Sequence, residues 1–319
     1  MWRRKFIAGL AGAVAFPLAV CAQTPKRVYR LGHLAHSSDF EAATRQIILP
    51  ELARLGFVEG RNLVFDARVG EPDALPDLMR ELLAARPDAI VAIGPATALA
   101  GAATRNVPIV VLGSELVELG FAASYAQPRG NVTGVVILGR ELDAKRLSLL
   151  LEAVPDRLRV AALIPQAGRE GFDVSLREAA AGLGVELLVF AVATPSDYAA
   201  AFEAMRAQGA QALIIAAAAQ FFRDGRKLAG LALEARLPTV CEWAEMAHAG
   251  CLIGYGPNRA ALRKRMADQI AQIFRGVAPG DIPIERPTAF EFALNLRIAK
   301  SLDLIVPSAV LARADEVIE

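Results

Sequence analysis

Three histidines, three cysteines and a scatter of hydroxyls are the residues of this 319-residue chain that could make or break bonds. His33 and His36 stand three apart, but they fall at the end of a predicted strand rather than on one helix face. With no cysteine or third histidine nearby, they do not make a metal site. His248, beside Met246, reads as packing or surface. Gly113-Ser114-Glu115-Leu116 lacks the closing glycine of a nucleophile elbow. No phosphate-cradling glycine loop is present, and the one glycine cluster near a dinucleotide pattern lies in the N-terminal leader, where it carries no such meaning. Asp and Glu fall mainly on helix faces at solvated spacings. The expectation is a chain with no catalytic residues, no cofactor and no metal.

What remains is a set of polar residues at the carboxyl ends of predicted parallel strands. Open α/β sheets bind ligands there, because helix N-termini present unpaired amide donors. After the first strand come His36, Ser37 and Ser38. After the third come Ala96 and Thr97, and after the fourth Ser114 and Glu115. In the second half the matching positions hold Gln166, Gln220 with Phe221, and Glu242 with Trp243. Two such ends facing each other would enclose a small polar ligand. Hydroxyls and free amides suit a carboxylate or another anionic or polar group. Glu115 or Glu242 could take an amine, and Trp243 or Phe221 could pack an apolar part.

The elements that must position these residues alternate from Lys26 onward. Strands are expected at 28–34, 62–69, 89–93 and 108–112, with helices at 41–55, 73–85 and 96–104 between them. This order demands a parallel, doubly wound sheet with right-handed crossovers. The pattern restarts with strands at 132–138, 159–164, 185–192, 212–217, 238–242 and 251–255. Helices are expected at 141–154, 172–183, 198–208 and 222–235. Helix 259–274, a proline-rich connection, an extended piece at 288–294 and a polar tail follow. The reading is two doubly wound parallel-sheet lobes with a central cleft. Gly254-Tyr255-Gly256 and the 283–287 segment fall where a returning chain would cross. That places one lobe at 27–134 plus 256–286 and the other at 135–255 plus 287–319.

The N-terminus reads as an export signal, residues 1–22. Arg3-Arg4-Lys5 precede an uncharged run from Ile7 to Val20, too short to span a bilayer, which needs roughly 20 apolar residues. Arg3-Arg4-Lys5-Phe6-Ile7 resembles the twin-arginine pattern, though ordinary signals also carry paired arginines. Cleavage is expected after Ala22. Leu18-Ala19-Val20-Cys21 is a poor lipobox because Val20 is bulky, which leaves lipid anchoring at Cys21 as the lesser alternative. A periplasmic, monomeric protein follows, with no membrane insertion of the mature chain. Removing three cations from 35 leaves 32 against 34 acidic residues, a net charge of −2, which gives nucleic acid no basic patch to bind. The mature chain keeps Cys241 and Cys251. An exported protein could pair them, but two cysteines make no disulfide framework and Cys241 falls in a predicted buried strand, so the unbonded pair is the first expectation and a disulfide the lesser alternative.

Segments along almost the whole chain resemble the bacterial ABC-transporter periplasmic substrate-binding family often labelled tryptophan/tyrosine-type. They include Leu55-Gly56-Phe57-Val58-Glu59-Gly60-Arg61-Asn62, Val117-Glu118-Leu119-Gly120 and Pro128-Arg129-Gly130-Asn131-Val132-Thr133-Gly134. Gly254-Tyr255-Gly256, Pro287-Thr288-Ala289-Phe290-Glu291 and Leu311-Ala312-Arg313-Ala314-Asp315-Glu316 continue the series. The resemblance implies a type I periplasmic-binding fold: two lobes, three crossings, a ligand in the cleft and hinge closure. It implies a small-molecule ligand and an ABC permease as partners. The sequence departs from the family pattern at Glu115-Leu116, at Pro165-Gln166-Ala167-Gly168 and at Ala218-Ala219-Gln220-Phe221, so the role is implied and the ligand is not. A solute receptor for an importer is the first expectation. A ligand sensor for a membrane signalling protein is the alternative, and an exported enzyme with an interlobe site is the weaker one, since no nucleophile–base pair is visible.

Overall fold

The computed structural model describes residues 27–113 and 116–319. The expected export signal with Cys21, and the candidates Ser114 and Glu115, lie outside the described residues.

The first sheet contains β1 (Tyr29–Ala35), β2 (Leu63–Val69), β3 (Ala89–Ile93), β4 (Ile109–Gly113) and β5 (Val132–Val136). Their order is β2-β1-β3-β4-β5, and every pair is parallel. β3, β4 and β5 are buried along their whole length. That is why they read as unbroken apolar runs rather than alternating ones. After β1, α1 (Ser38–Ala43), a π-helical turn (Thr44–Ile48) and α2 (Leu49–Arg54) form one continuous run. It begins three residues before the expected start because Ser37 caps it, its Oγ accepting from the Asp39 amide at 3.2 Å. The wide turn precedes Pro50, which lacks the amide that an uninterrupted α-helix would use there. α3 (Leu75–Ala84) and α4 (Pro95–Ala103) complete this unit.

The second unit opens with α5 (Asp143–Ala153), followed by β6 (Arg159–Pro165), α6 (Arg169–Leu183), β7 (Glu186–Val192), α7 (Tyr198–Ala207) and β8 (Ala212–Ile215). The helix expected over 222–235 is two, α8 (Ala219–Arg223) and α9 (Gly225–Glu234). They meet at Asp224, whose carboxylate accepts from the Tyr198 hydroxyl at 2.7 Å. Then come β9 (Thr239–Cys241), α10 (Ala244–Ala249) and β10 (Ile253–Pro257). Gly254 and Gly256 let β10 pass close under the preceding segment: a Cβ at either would lie about 2 Å from the carbonyl oxygen of Trp243 or Glu242.

From β10 the chain crosses to α11 (Arg259–Phe274), which packs on the first sheet and donates from Gln269 Nε2 to the Gly134 carbonyl at 2.9 Å. Residues 282–285 then run beside β5: the Thr133 hydroxyl donates to the Ile282 carbonyl at 2.7 Å and the Val136 amide to the Glu285 carbonyl at 2.9 Å. The chain returns as β11 (Phe290–Asn295), which pairs antiparallel with β10. The expected polar tail is folded. It forms α12 (Leu296–Ser301), α13 (Ser308–Leu311) and β12 (Glu316–Ile318), a three-residue edge strand parallel to β11. The second sheet thus runs β12-β11-β10-β9-β8-β6-β7.

One expectation is corrected. Cys241 and Cys251 are joined by a disulfide, with Cα atoms 6.5 Å apart. Both residues are fully buried, as the strand reading of Cys241 required. The register that sets Cys241 opposite Gly254 on the adjacent parallel strand also brings Cys251 within reach, so burial did not keep the two apart. The bond closes the loop that carries Glu242, Trp243 and α10.

Candidate functional site

The carboxyl ends of the two sheets meet. Gly94, at the end of β3 with φ +61°, comes so near the second unit that a Cβ there would lie 3.4 Å from Ala219 Cβ and 3.5 Å from the His36 ring. Phe40 in α1 faces Phe222 in α8 with ring centroids 6.1 Å apart. These two contacts span the cleft.

On the first side, His36 is buried against Phe40 at 4.9 Å. Burial pushes its pKa down, helped by the positive field of Arg223 from the opposite unit. Ser37 is committed to its capping bond, and Ser38 is exposed. Ala96 and Thr97 are buried in the first turn of α4. Thr97 Oγ1 leans back to the Ala92 carbonyl at 3.5 Å, a long contact that leaves the hydroxyl available for a better acceptor or donor.

On the second side the candidates divide. Gln166 is exposed beyond β6, and Gln220 is half-buried, with Nε2 3.5 Å from the Val192 carbonyl. Phe221 is fully buried and packs toward Tyr198 at 6.2 Å, inside its own unit. The aromatic ring that faces the first unit is its neighbour Phe222. Composition alone could not choose between them, because the choice depends on the short helix α8 beginning at Ala219. Glu242 is 4% exposed and Trp243 6%, at the end of β9. Burial raises the Glu242 carboxyl to about 7, against the opposing fields of Arg146 and Arg259.

Sequence reasoning missed the arginines. The Arg259 guanidinium lies over both Phe222 and Trp243, 4.1 Å and 5.6 Å from the ring centroids, and pairs with Glu245 at 3.3 Å. Arg146 is fully buried in α5. Its Nε donates to the Tyr255 carbonyl at 3.0 Å and its Nη1 to the Gly139 carbonyl at 2.6 Å, with Asp143 at 3.3 Å. Gly139 follows β5 and Tyr255 lies in β10, so Arg146 ties together two of the segments through which the chain changes units. Burial raises Asp143 to about 6 despite that partner. A signal was present: Arg259 is the first residue after an Asn258 helix cap, at a place where the chain must cross.

Two surface cavities are present among the described residues. One, about 360 Å³, lies just past the carboxyl ends of β9 and β10, lined by Ala244, Glu245, His248, Asn258, Arg259 and Glu291 among others, and shares Arg259 with the cleft. The other, about 380 Å³, runs along the returning segment near Arg265 and Glu285. We place the candidate site at the meeting strand ends, where buried polar groups and aromatic rings from both units converge; neither surface cavity has that arrangement. Among the described residues, no group of three or more His, Cys, Asp and Glu side chains could hold a metal, and no helix is long and apolar enough to cross a membrane.

Two α/β lobes with largely parallel sheets, joined by several crossings and meeting at their strand ends, define the type I periplasmic-binding architecture. A family model for ABC transporter substrate binding proteins matches residues 35–318, and the chain belongs to that family. No curated protein matches the chain significantly. Among solved structures, a conserved domain protein from Vibrio cholerae is 23% identical, with a TM-score of 0.84, covering 91% of this chain and 100% of that one. An ABC domain in complex with L-Trp from Streptococcus pneumonia is 20% identical, with the same TM-score and the same coverage. An ABC transporter solute binding protein from Agrobacterium vitis with bound allitol is 14% identical, with a TM-score of 0.59, covering 84% and 96%. At these identities the likeness is one of fold.

Proposed function

We propose that this chain is an exported, monomeric solute receptor that delivers a small polar ligand, an amino acid or related carboxylate, to an ABC permease. Its lobes are built on the two sheets, residues 27–136 plus 258–286 and 137–257 plus 287–319, bounds that keep β5 and β10 whole. They close over the ligand, binding and releasing it without making or breaking bonds. The observation that carries this reading is the convergence of both sets of strand ends, with Gly94 against Ala219 and Phe40 against Phe222. Contacts of that kind exist only when the lobes are together. A ligand that bridges the lobes therefore shifts the population toward closure.

In this reading the ligand lies among His36, Thr97 and the Ser114–Glu115 segment on one side, and Gln220, Phe222, Glu242 and Trp243 on the other. Losing a buried hydrogen bond to a neutral group costs about 1–3 kcal/mol, or one to two decades in affinity. Thr97→Ala is the test. It should weaken ligand binding in a calorimetric titration by about that factor and leave the apo melting temperature nearly unchanged. Unchanged affinity for a ligand that binds the wild-type protein would remove the first-lobe half of the site.

A further inference from the structure

A buried arginine without a salt-bridge partner among the described residues lies near the N-terminal end of α11, one turn behind the Arg259 that faces Phe222 and Trp243. Arg263 lies in the second turn of α11 and is 1% exposed. Its Nη1 donates to the Arg259 carbonyl at 3.3 Å, one turn back, so the guanidinium folds toward the cleft end of the helix. Its Nε and Nη2 are buried and have no hydrogen-bond partner. Beside it on β1, His33 is fully buried with neither ring nitrogen bonded; the Val91 backbone comes near the ring but outside hydrogen-bonding geometry. His36, just past the end of β1, also has both ring nitrogens unpartnered.

Buried cations are normally paired, and a buried donor without an acceptor costs free energy. The charges around Arg263 do not supply the pairing. Arg259 repels it, Glu245 is spent on Arg259, and Arg45 acts on the same His33 ring. Burial lowers the Arg263 guanidinium to about 9. Arg223, paired with Asp224 at 3.0 Å, adds a positive field on His36 from the second unit, with Glu71 opposing it. On the facing side Glu242 and Asp143 are buried carboxyls whose charge burial opposes, and Asp143 lies beside Arg146 at 3.3 Å. Among the described residues no carboxylate pairs with Arg263, and the unsatisfied groups of Arg263, His33 and His36 are donors or rings able to donate.

We infer that Arg263 and His33 form an anion subsite, and that it takes the carboxylate of a small organic acid carrying no compensating ammonium group. This rests on the receptor reading and narrows it, because a zwitterion would bring a cation into a cleft already crowded with arginines. The acid's carboxylate accepts from Arg263 Nε and Nη2, and its apolar part packs on Phe40 and Phe222.

Three probes with one ring and different charge decide it: 3-phenylpropionate, L-phenylalanine and phenethylamine, with succinate, inorganic phosphate and myo-inositol alongside. Each is added to the mature protein at about 10 mM and the melting temperature read, since a ligand that binds only the folded state raises it. The expected result is that a carboxylate lacking an amine stabilises, phenethylamine does not, and L-phenylalanine is weaker than 3-phenylpropionate. Arg263→Met should abolish the carboxylate shift while the apo melting temperature holds or rises, because an uncompensated buried charge has been removed. Arg263→Lys, which keeps charge and loses the planar fork, should bind about tenfold or more weakly. The subsite is overturned if neither carboxylate shifts the wild type, if the zwitterion or amine does as well, if phosphate matches the organic acids, or if Arg263→Met keeps the shift. Stabilisation by myo-inositol alone sinks the subsite and leaves the receptor reading standing.

Discussion

The Arg259 guanidinium sits 4.1 Å from the centroid of the Phe222 ring. Arg259 opens α11, the helix that packs on the first sheet, and Phe222 belongs to α8 at the strand ends of the second. The contact therefore fastens one lobe's helix to the other lobe's rim. A cation over an aromatic face contributes about 0.5–2 kcal/mol, the upper end when desolvated. Phe222→Ala should raise the dissociation constant of a cleft ligand by roughly 3- to 30-fold and leave most of the stability in place.

Phe221→Ala should do the reverse. Phe221 is fully buried against Tyr198, and deleting such a ring costs about 3–5 kcal/mol of stability. Chemical denaturation of the two variants side by side separates the binding aromatic from the core one. Equal stability losses would contradict the assignment.

The Cys241–Cys251 bond encloses a short loop, with a sequence separation of 10. Chain-entropy reasoning gives roughly 2–3 kcal/mol of stabilisation for a loop that size. The double variant Cys241→Ser with Cys251→Ser should melt several degrees lower. Because the loop carries Glu242 and Trp243, its ligand affinity should fall more than that of a surface variant of equal stability.

Much of the fold was legible because the strands β3, β4 and β8 are short apolar runs bounded by turn residues, and α11 shows both its cap and its period. The tail was not, because β12 is a three-residue edge strand, too short to show an alternation, and it is held by pairing with β11, about twenty residues earlier in the chain. The disulfide was hidden for the same reason: it depends on the register between β9 and β10. Of the candidate site, the sequence could show the strand ends and not the helices laid across them. Strand-end positions such as His36, Thr97, Glu242 and Trp243 follow from the α/β order. Phe222 in place of Phe221, and the arginines of α5 and α11, depend on how helices from one unit lie on the other, which no local pattern encodes.

Two buried groups should leave opposite marks on stability against pH. Glu242 is raised from 4.5 to about 7 in the folded protein, so the folded state holds its proton longer than the unfolded one. Its contribution is fully present below pH 4.5 and is lost as pH rises toward 7, a change on the order of 3 kcal/mol. His33 is lowered from 6.5 to about 3, so its contribution is present above pH 6.5 and is lost as pH falls toward 3. Between pH 4.5 and 6.5 the two oppose each other in the wild type. Urea midpoints across this range should therefore slope upward with pH in Glu242→Gln relative to wild type. An unchanged profile would mean Glu242 is not held protonated by burial.

Closure of two lobes over a small ligand changes the overall dimensions of the molecule, which small-angle X-ray scattering of the mature protein reads. The free protein should show a radius of gyration larger than that calculated from the structure described above, in which the strand ends of the two units meet. Titration with whichever small molecule raises the melting temperature should shrink it to the calculated value, and the Phe222→Ala variant should need more ligand to reach the same point. A radius that already matches the calculated value without ligand, and does not change when a ligand binds, would mean that the lobes do not close over a ligand.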